Sequence, residues 1–389
     1  MEAGGGGKPL PSEWRGASIC TIYKGKGEVS SCDSYRGIFL LNTLGKLLSS
    51  VITRRIHVLA EEYIEDTQSG FRMNRSAAQA ILSVRLLAQA AQDRDVPVVV
   101  IFIDLKKAFD SIPRKLILDI LCAIGCPPSL VALVAQLHDE VLVKVIGMSD
   151  ADRFEMSRGV RQGSCEGPVL FNLCWSFLLR RALEEVPSVG VDLISRKMKD
   201  GVWLADSERP FRLTSLCYAD DLAIVAHSTD ALSLFVNALQ RITGPLGVNI
   251  SKQKTEFLWL SGKPGDPAPV MLNGEALKEV TEFNYLGSLI EGRTQQSRTR
   301  EVTANVKRAS KALAGLRPLF RVRKCPIDLK VRLAKAVVYP AALYACETWR
   351  LTATKEREFD AFLNRLRCAV MNRGRIDRRT GVKVRTERL

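Results

Sequence analysis

Six apolar residues, rich in β-branched side chains, run without a break from Val98 to Ile103 and predict a strand buried on both faces. Asp104 stands at its end. A second apolar pattern, Ser215-Leu-Cys-Tyr-Ala-Asp-Asp-Leu-Ala-Ile-Val-Ala226, predicts a β-hairpin of two short β-prone runs with Ala-Asp-Asp at the tip. Adjacent carboxylates repel, so an apolar hairpin needs a reason to carry Asp220 and Asp221. Asp is a common turn former, and that plain role is one reading. The other is a divalent cation, since Mg²⁺ takes oxygen ligands from one or two carboxylates plus phosphates. Such a site needs a further acid from elsewhere in the chain, and Asp104 supplies one.

The remaining pattern frames these two stretches. Helical spacing of apolar residues predicts helices over 43–59, 76–91, 114–124, 130–137, 167–185 and 231–242, with strands over 141–146 and 257–260. Asp110 or Ser111 can cap the helix that begins near Pro113. The stretch 187–210 is polar and poorly periodic and reads as a loop or ragged hairpin. Arg54 and Arg55 end their helix, where cations suit the dipole. From Thr299 onward Val302, Val306, Ala309, Leu313 and Leu316 form an a/d-like stripe. Lys307, Arg308 and Lys311 lie off it, as a solvated face or a surface for a polyanion. A helix over 329–345 should bend at Pro340, and another follows over 356–370.

Composition narrows the partners. The chain has 57 Lys and Arg against 42 acids, a net charge of +15, which favours a polyanion because each Lys or Arg contact to phosphate releases counterions. No apolar run approaches the roughly 18 residues of a membrane span, and Met1-Glu-Ala-Gly-Gly-Gly-Gly7 has neither the basic start nor the apolar centre expected of a signal peptide. Ten scattered cysteines lack paired C-x₂-C spacing, and Cys122 and Cys126 have no neighbouring His. Free thiols in a reducing compartment are expected.

Three motifs in succession resemble a family: Phe102-Ile-Asp-Leu-Lys-Lys-Ala-Phe-Asp110, Arg158-Gly-Val-Arg-Gln-Gly163 and Tyr218-Ala-Asp-Asp221 look like core motifs of reverse transcriptases. More narrowly they resemble the non-LTR (LINE-type) retrotransposon enzymes. Further matches are Ile22-Tyr-Lys-Gly-Lys-Gly27, Tyr35-Arg-Gly-Ile-Phe-Leu-Leu41, Gln68-Ser-Gly-Phe-Arg-Met-Asn-Arg75, the Lys-Thr of Gln253-Lys-Thr-Glu256, and Phe283-Asn-Tyr-Leu-Gly-Ser288. The likeness extends from about Trp14 to Val370. Ser164-Cys-Glu-Gly-Pro168 departs from the commoner continuation but keeps the Pro.

The resemblance implies an α+β right-hand polymerase fold: fingers, a palm of antiparallel sheet plus helices, and a helical thumb. The expected boundaries are a flexible lead at 1–13, fingers at 14–92, palm at 93–290 with a fingers insertion near 121–154, thumb at 291–350, and a basic C-terminal helix and tail at 351–389. It implies RNA-directed DNA synthesis, with RNA as template, a DNA primer and target DNA, deoxynucleoside triphosphates, no membrane, and a nuclear, intracellular setting. Asp104, Asp220, Asp221 and the backbone carbonyl of Leu105 would hold two Mg²⁺ ions, with Mn²⁺ able to substitute. Arg72 would reach the triphosphate, with Arg75 a weaker candidate. Gln162 and Gly163 would pack under the nucleotide and template base. Phe109 would block a 2′-OH, a core aromatic being its other reading. Lys254, or Lys252 in second place, would protonate pyrophosphate; an exposed loop lysine is the alternative. Tyr285 and Gly287 belong to a primer-grip turn, and Lys307, Arg308 and Lys311 to a thumb on the duplex. Lys24 and Lys26 meet phosphates or simply form a solvated turn. Neither an endonuclease domain nor a Cys/His finger is readable, so the chain looks like the polymerase piece of a longer element. A catalytically silent nucleic-acid-binding remnant, an RNA-templated RNA polymerase and a group II intron-type enzyme are the rival readings.

Overall fold

In the computed structural model Val98–Ile103 is the centre of a five-stranded sheet, in the order Lys278–Glu279, Glu256–Ser261, Val98–Ile103, Asp221–Ala226, Ser215–Tyr218. All six side chains of the central strand are buried, as a continuous apolar run requires when both sheet faces are covered. Its neighbours on both sides run antiparallel to it. The structure describes residues 9–25, 27–149, 152–199, 202–292, 300–322, 324–349 and 351–372. The Gly4–Gly7 lead, Lys26 and the basic tail beyond Asn372 lie outside them.

The chain divides into two compact units, Met1–Ser76 with Ala90–Val280, and Ala77–Gln89 with Thr281–Leu389. In the first, the sheet carries the helices Gly167–Glu185 and Thr229–Thr243. The former buries residues around most of its circumference, Phe171, Trp175 and Leu179 among them. The latter begins at Ser228, whose Oγ accepts from the Ala231 amide at 3.2 Å. A second sheet has the order Tyr35–Leu41, Ala17–Tyr23, Val141–Val145, Phe154–Met156. Helices on antiparallel and mixed sheets make this an α+β fold, as expected.

One open reading is decided and two local expectations change. Of the two readings for 187–210 the ragged hairpin holds: Val191–Lys199 pairs with Val202–Leu213, and the register slips between Leu193 and Ser195. That irregularity accounts for the absent period in the sequence. Neither Asp110 nor Ser111 caps the helix Arg114–Ala123: Pro113 is its N-cap, and Ser111 Oγ donates back to the Lys107 carbonyl at 2.8 Å. The helix anticipated over 329–345 runs instead over 327–342, helical throughout, and carries a π turn at Ala334–Val338 between Ile327–Leu333 and Tyr339–Ala342. Pro340 lacks an N–H and crowds the preceding turn, which the wider turn relieves. All ten cysteines are free thiols.

The first unit also holds a buried charged knot. Arg161 donates to Glu166 at 2.9 Å and to the Arg15 carbonyl at 3.0 Å, and Ser49 Oγ donates to the other Glu166 oxygen. His138 lies 3.7 Å from Glu166, and burial pushes its pKa down to about 4 despite that carboxylate. The folded imidazole is neutral where an unfolded one, near 6.5, takes a proton. A depressed histidine therefore supports the fold above pH 6.5 and loses that support as the pH falls toward 4. Between pH 7 and pH 5 stability should drop by about 2 kcal/mol through this residue. Asp221 and Glu291, both pushed up to about 6, act in the opposite sense over the same range, so the residue is read by difference: on going from pH 7 to pH 5 the urea midpoint of His138→Gln should fall less, or rise more, than that of the native chain. The Glu166 carboxyl is held below its ordinary value, so its protonation lies beneath this window.

In the second unit the predicted stripe is the buried face of Arg300–Arg321: Val302, Val306, Ala309 and Leu313 pack with Phe320, Val338, Phe362 and Leu366. Arg85 ties this unit together. Its guanidinium pairs with Glu301 and donates to Ser288 Oγ at 2.9 Å and to the Thr348 carbonyl and hydroxyl at 2.7 Å. The strands Glu282–Tyr285 and Ser288–Glu291 close on a two-residue turn in which Leu286 (φ 50°) and Gly287 (φ 79°) are both left-handed, the geometry of a type I′ hairpin.

Candidate active site

The pairing of Leu222 with Ile103 puts Asp221 level with Asp104 across adjacent strands. Asp221 pairs with Tyr218, so the turn proper is Ala219-Asp220, with Ala219 left-handed at φ 55°. Three carboxylates from two distant stretches thus meet at one end of the sheet. Burial raises the Asp220 pKa, and Asp104 adds to the rise against Lys254 and Arg36. Burial, Asp220 and Asp104 push Asp221 up to about 6. The cluster is short of positive charge.

Lys254 partly supplies it. Its ammonium lies 3.0 Å from Asp104 Oδ2. The loop that carries it is hooked onto the same residue: the Ser251 amide donates to the Asp104 carbonyl at 2.7 Å, and the Asp104 amide to Thr255 Oγ1 at 3.3 Å. Asn249–Ile250 pairs with Leu105–Lys106, so the Leu105 backbone is anchored in a short ladder. Lys252 instead pairs with Glu275, which leaves Lys254 as the lysine at the acids.

The loop 158–163 docks beside them. The Gly159 amide donates to the Ile112 carbonyl and the Val160 amide to the Phe109 carbonyl, both at 2.8 Å. Gly163, at φ 113°, lies so close to the neighbouring strand that a Cβ would come 2.7 Å from the Phe39 carbonyl. Gln162 accepts from the Phe39 amide through its backbone and reaches Asp110 with its side chain at 3.5 Å. The Phe109 ring stacks on Phe171, centroids 4.2 Å apart, and meets Phe71 edge-on at 6.3 Å. That stack fixes its position.

Arg72 points into the protein. It is buried, donates to Glu61 at 3.0 and 2.5 Å, and donates to the carbonyls of Glu65 and Gln68. Arg36 was not among the expected site residues, yet its charge is felt at Asp220. It lies on an exposed position of Tyr35–Leu41. The signal for it was an arginine alternating with apolar residues on a strand. In the second unit Lys307 and Lys311 are exposed. Arg308 donates to the Gly287 carbonyl at 3.1 Å and lies over the Tyr344 ring, while Tyr285 is buried.

A divalent cation fits the first unit's acids on two counts. The donors are hard carboxylate oxygens, and burial together with carboxylate neighbours makes charge on Asp220 and Asp221 unfavourable, a cost that a bound cation would offset. Among the described residues no three acidic, His or Cys side chains form a ready-made metal cage; the three aspartates are neighbours that repel.

Residues 22–290 match the family model described as "Reverse transcriptase (RNA-dependent DNA polymerase)". The chain is 26% identical over 356 residues to the "RNA-directed DNA polymerase from mobile element jockey" of Drosophila melanogaster, covering 88% of this chain and 36% of that protein. It is 26% identical over 358 residues to the "Probable RNA-directed DNA polymerase from transposon BS" of the same fly, covering 88% and 37%. The chain therefore spans little more than a third of the length of these curated relatives. A solved RNA-dependent RNA polymerase of a human picobirnavirus superposes with a TM-score of 0.49 at 12% identity, over 91% of this chain and 58% of that one, a likeness too slight to build on. Reverse transcriptases as a family use divalent metal ions. This chain belongs to the reverse transcriptase (RNA-dependent DNA polymerase) family, as a domain of the LINE-type, non-LTR retrotransposon kind.

Proposed function

We propose that the chain extends a DNA primer on an RNA template, as the polymerising part of a retrotransposon protein that also handles target DNA in the nucleus. The observation that carries this reading is the gathering of Asp104, Asp220 and Asp221 at one sheet end, with Lys254 bonded to the first. Asp104, Asp220, Asp221 and the Leu105 carbonyl would hold two Mg²⁺ ions, or Mn²⁺ in their place. Bound there, the ions supply positive charge to the attacking and departing oxygens.

The chain's own residues do the rest. Lys254, with its ammonium beside the acids, is placed to give a proton to departing pyrophosphate. Phe109 is a fixed wall against a 2′-OH. Gln162 and Gly163 form the floor under the base pair. Arg36 is the better-placed cation for phosphate oxygens, and Arg72 would serve only by giving up Glu61. Gly287, Lys307, Arg308 and Lys311 form the second unit's nucleic-acid surface, with Tyr285 buried in the hairpin that carries Gly287 and with Lys307 and Lys311 the most available to phosphates. No helix among the described residues is long and apolar enough to cross a membrane.

Extension of a DNA primer on matched RNA and DNA templates, with Mg²⁺ and deoxynucleotides, tests the proposal. Synthesis on the RNA template is the expected result. Binding without synthesis would identify a silent remnant. Ribonucleotide preference would identify an RNA polymerase, and selective capture of intron RNA a group II intron-type enzyme.

A further inference from the structure

Gln68 is almost completely buried, and a carboxamide there needs partners. It finds them on the backbone of the turn that carries the acids. Oε1 accepts from the Ala219 amide at 2.8 Å and from the Gly70 amide at 2.9 Å. Nε2 donates to the Ala219 carbonyl at 3.2 Å. The amide group has one orientation here, because turning it over would set its NH₂ against two N–H donors. The side chain thus grips both polar groups of one residue, as a neighbouring strand would.

That residue is the left-handed Ala219, which immediately precedes Asp220. An L-residue in this conformation costs about 1–2 kcal/mol and persists only when its surroundings hold it. The surroundings are built for this. The segment continues the sheet edge: Gln68 bridges Cys217 in parallel, the Ser69 amide donates to the Cys217 carbonyl at 2.8 Å, and the Cys217 amide to the Thr67 carbonyl at 3.2 Å. Gly70 sits so close that a Cβ would come 2.4 Å from the Ala219 nitrogen. Asn172 Nδ2 donates to the Gly70 carbonyl at 2.8 Å and fixes the segment from behind.

We infer that Gln68 is a positioning residue: its side-chain clamp on Ala219 sets the direction in which Asp220 and Asp221 present their carboxylates. This rests on the polymerase reading for its catalytic consequence, while the clamp itself can be tested without synthesis. Gln68→Met keeps length and removes all three hydrogen bonds. Gln68→Glu keeps the acceptor for two amides but sets a carboxylate oxygen against the Ala219 carbonyl.

The full chain should be compared with Gln68→Met, Gln68→Glu and Gly70→Ala by amide hydrogen exchange and by steady-state primer extension. Exchange over 216–222 should quicken at least tenfold in Gln68→Met, with exchange in 98–103 unchanged. On an RNA template kcat should fall ten- to hundredfold, with KM for deoxynucleotide and primer–template affinity within about twofold. Gly70→Ala should reproduce the kcat loss from the opposite side of the contact. Unchanged exchange over 216–222 in Gln68→Met overturns the clamp. Quickened exchange with unaltered kcat overturns its catalytic role, as does a loss confined to KM. A native chain that binds but never extends, with the exchange change still present, refutes the polymerase reading and keeps the clamp.

Discussion

Asp220→Asn holds a primer–template duplex as well as the native chain does and fails to extend it. Extension should fall about a thousandfold or more, some 4 kcal/mol of lost transition-state stabilisation. The amide keeps the shape of the side chain and removes the charge that a cation needs. The substitution should not harm the fold. Burial and Asp104 make the ionised Asp220 unfavourable, so a neutral side chain relieves repulsion in the metal-free chain. Melting temperature should therefore hold or rise while synthesis stops, the usual trade between stability and a strained site. Filter binding, single-turnover extension and a thermal melt on one preparation decide the matter. Extension at more than a tenth of the native rate would remove Asp220 from the reaction.

The second large effect concerns the sugar. Phe109→Ala should admit ribonucleotides, lowering discrimination by about a hundredfold in kcat/KM as a steric contact against the 2′-OH disappears. The same change takes away the stack on Phe171, so some loss of stability accompanies it, on the order of 1–3 kcal/mol for a partly buried ring. Phe171→Leu separates the two effects, because it gives up the ring stack while an aliphatic side chain still backs Phe109 and Phe71 still meets its edge, so the wall remains. Sugar selection should survive in Phe171→Leu and collapse in Phe109→Ala. Equal selection in both would make Phe109 an ordinary packing aromatic.

The sheet and its acids were legible because their signals are local. An unbroken β-branched run, a hairpin pattern and acids where apolar residues stop need no knowledge of the rest of the chain. Strand register then follows, since Leu222 opposite Ile103 is what buries both runs. Contacts made by side chains to remote backbone were not legible. Gln68 was visible as a letter in a motif, but its partner is the backbone of Ala219, 151 positions away. The inward aim of Arg72 depends on Glu61 and two carbonyls brought together by a turn. Arg36 was hidden in a strand pattern that gives no hint of which carboxylate it will face. The 187–210 stretch left loop and ragged hairpin both open because a register slip destroys the period-two pattern by which strands are recognised.

The hairpin Glu282–Tyr285/Ser288–Glu291 leaves unused headroom in this chain. Its type I′ turn suits Asn-Gly, and position 286 is a leucine at φ 50°. Asn or Gly there would relax the backbone and return roughly 1 kcal/mol. No carboxylate of the reaction belongs to that unit. A sturdier protein for laboratory use is therefore within reach of one exchange, and because the turn is also proposed to meet nucleic acid, its melting temperature and its primer–template affinity are measured together.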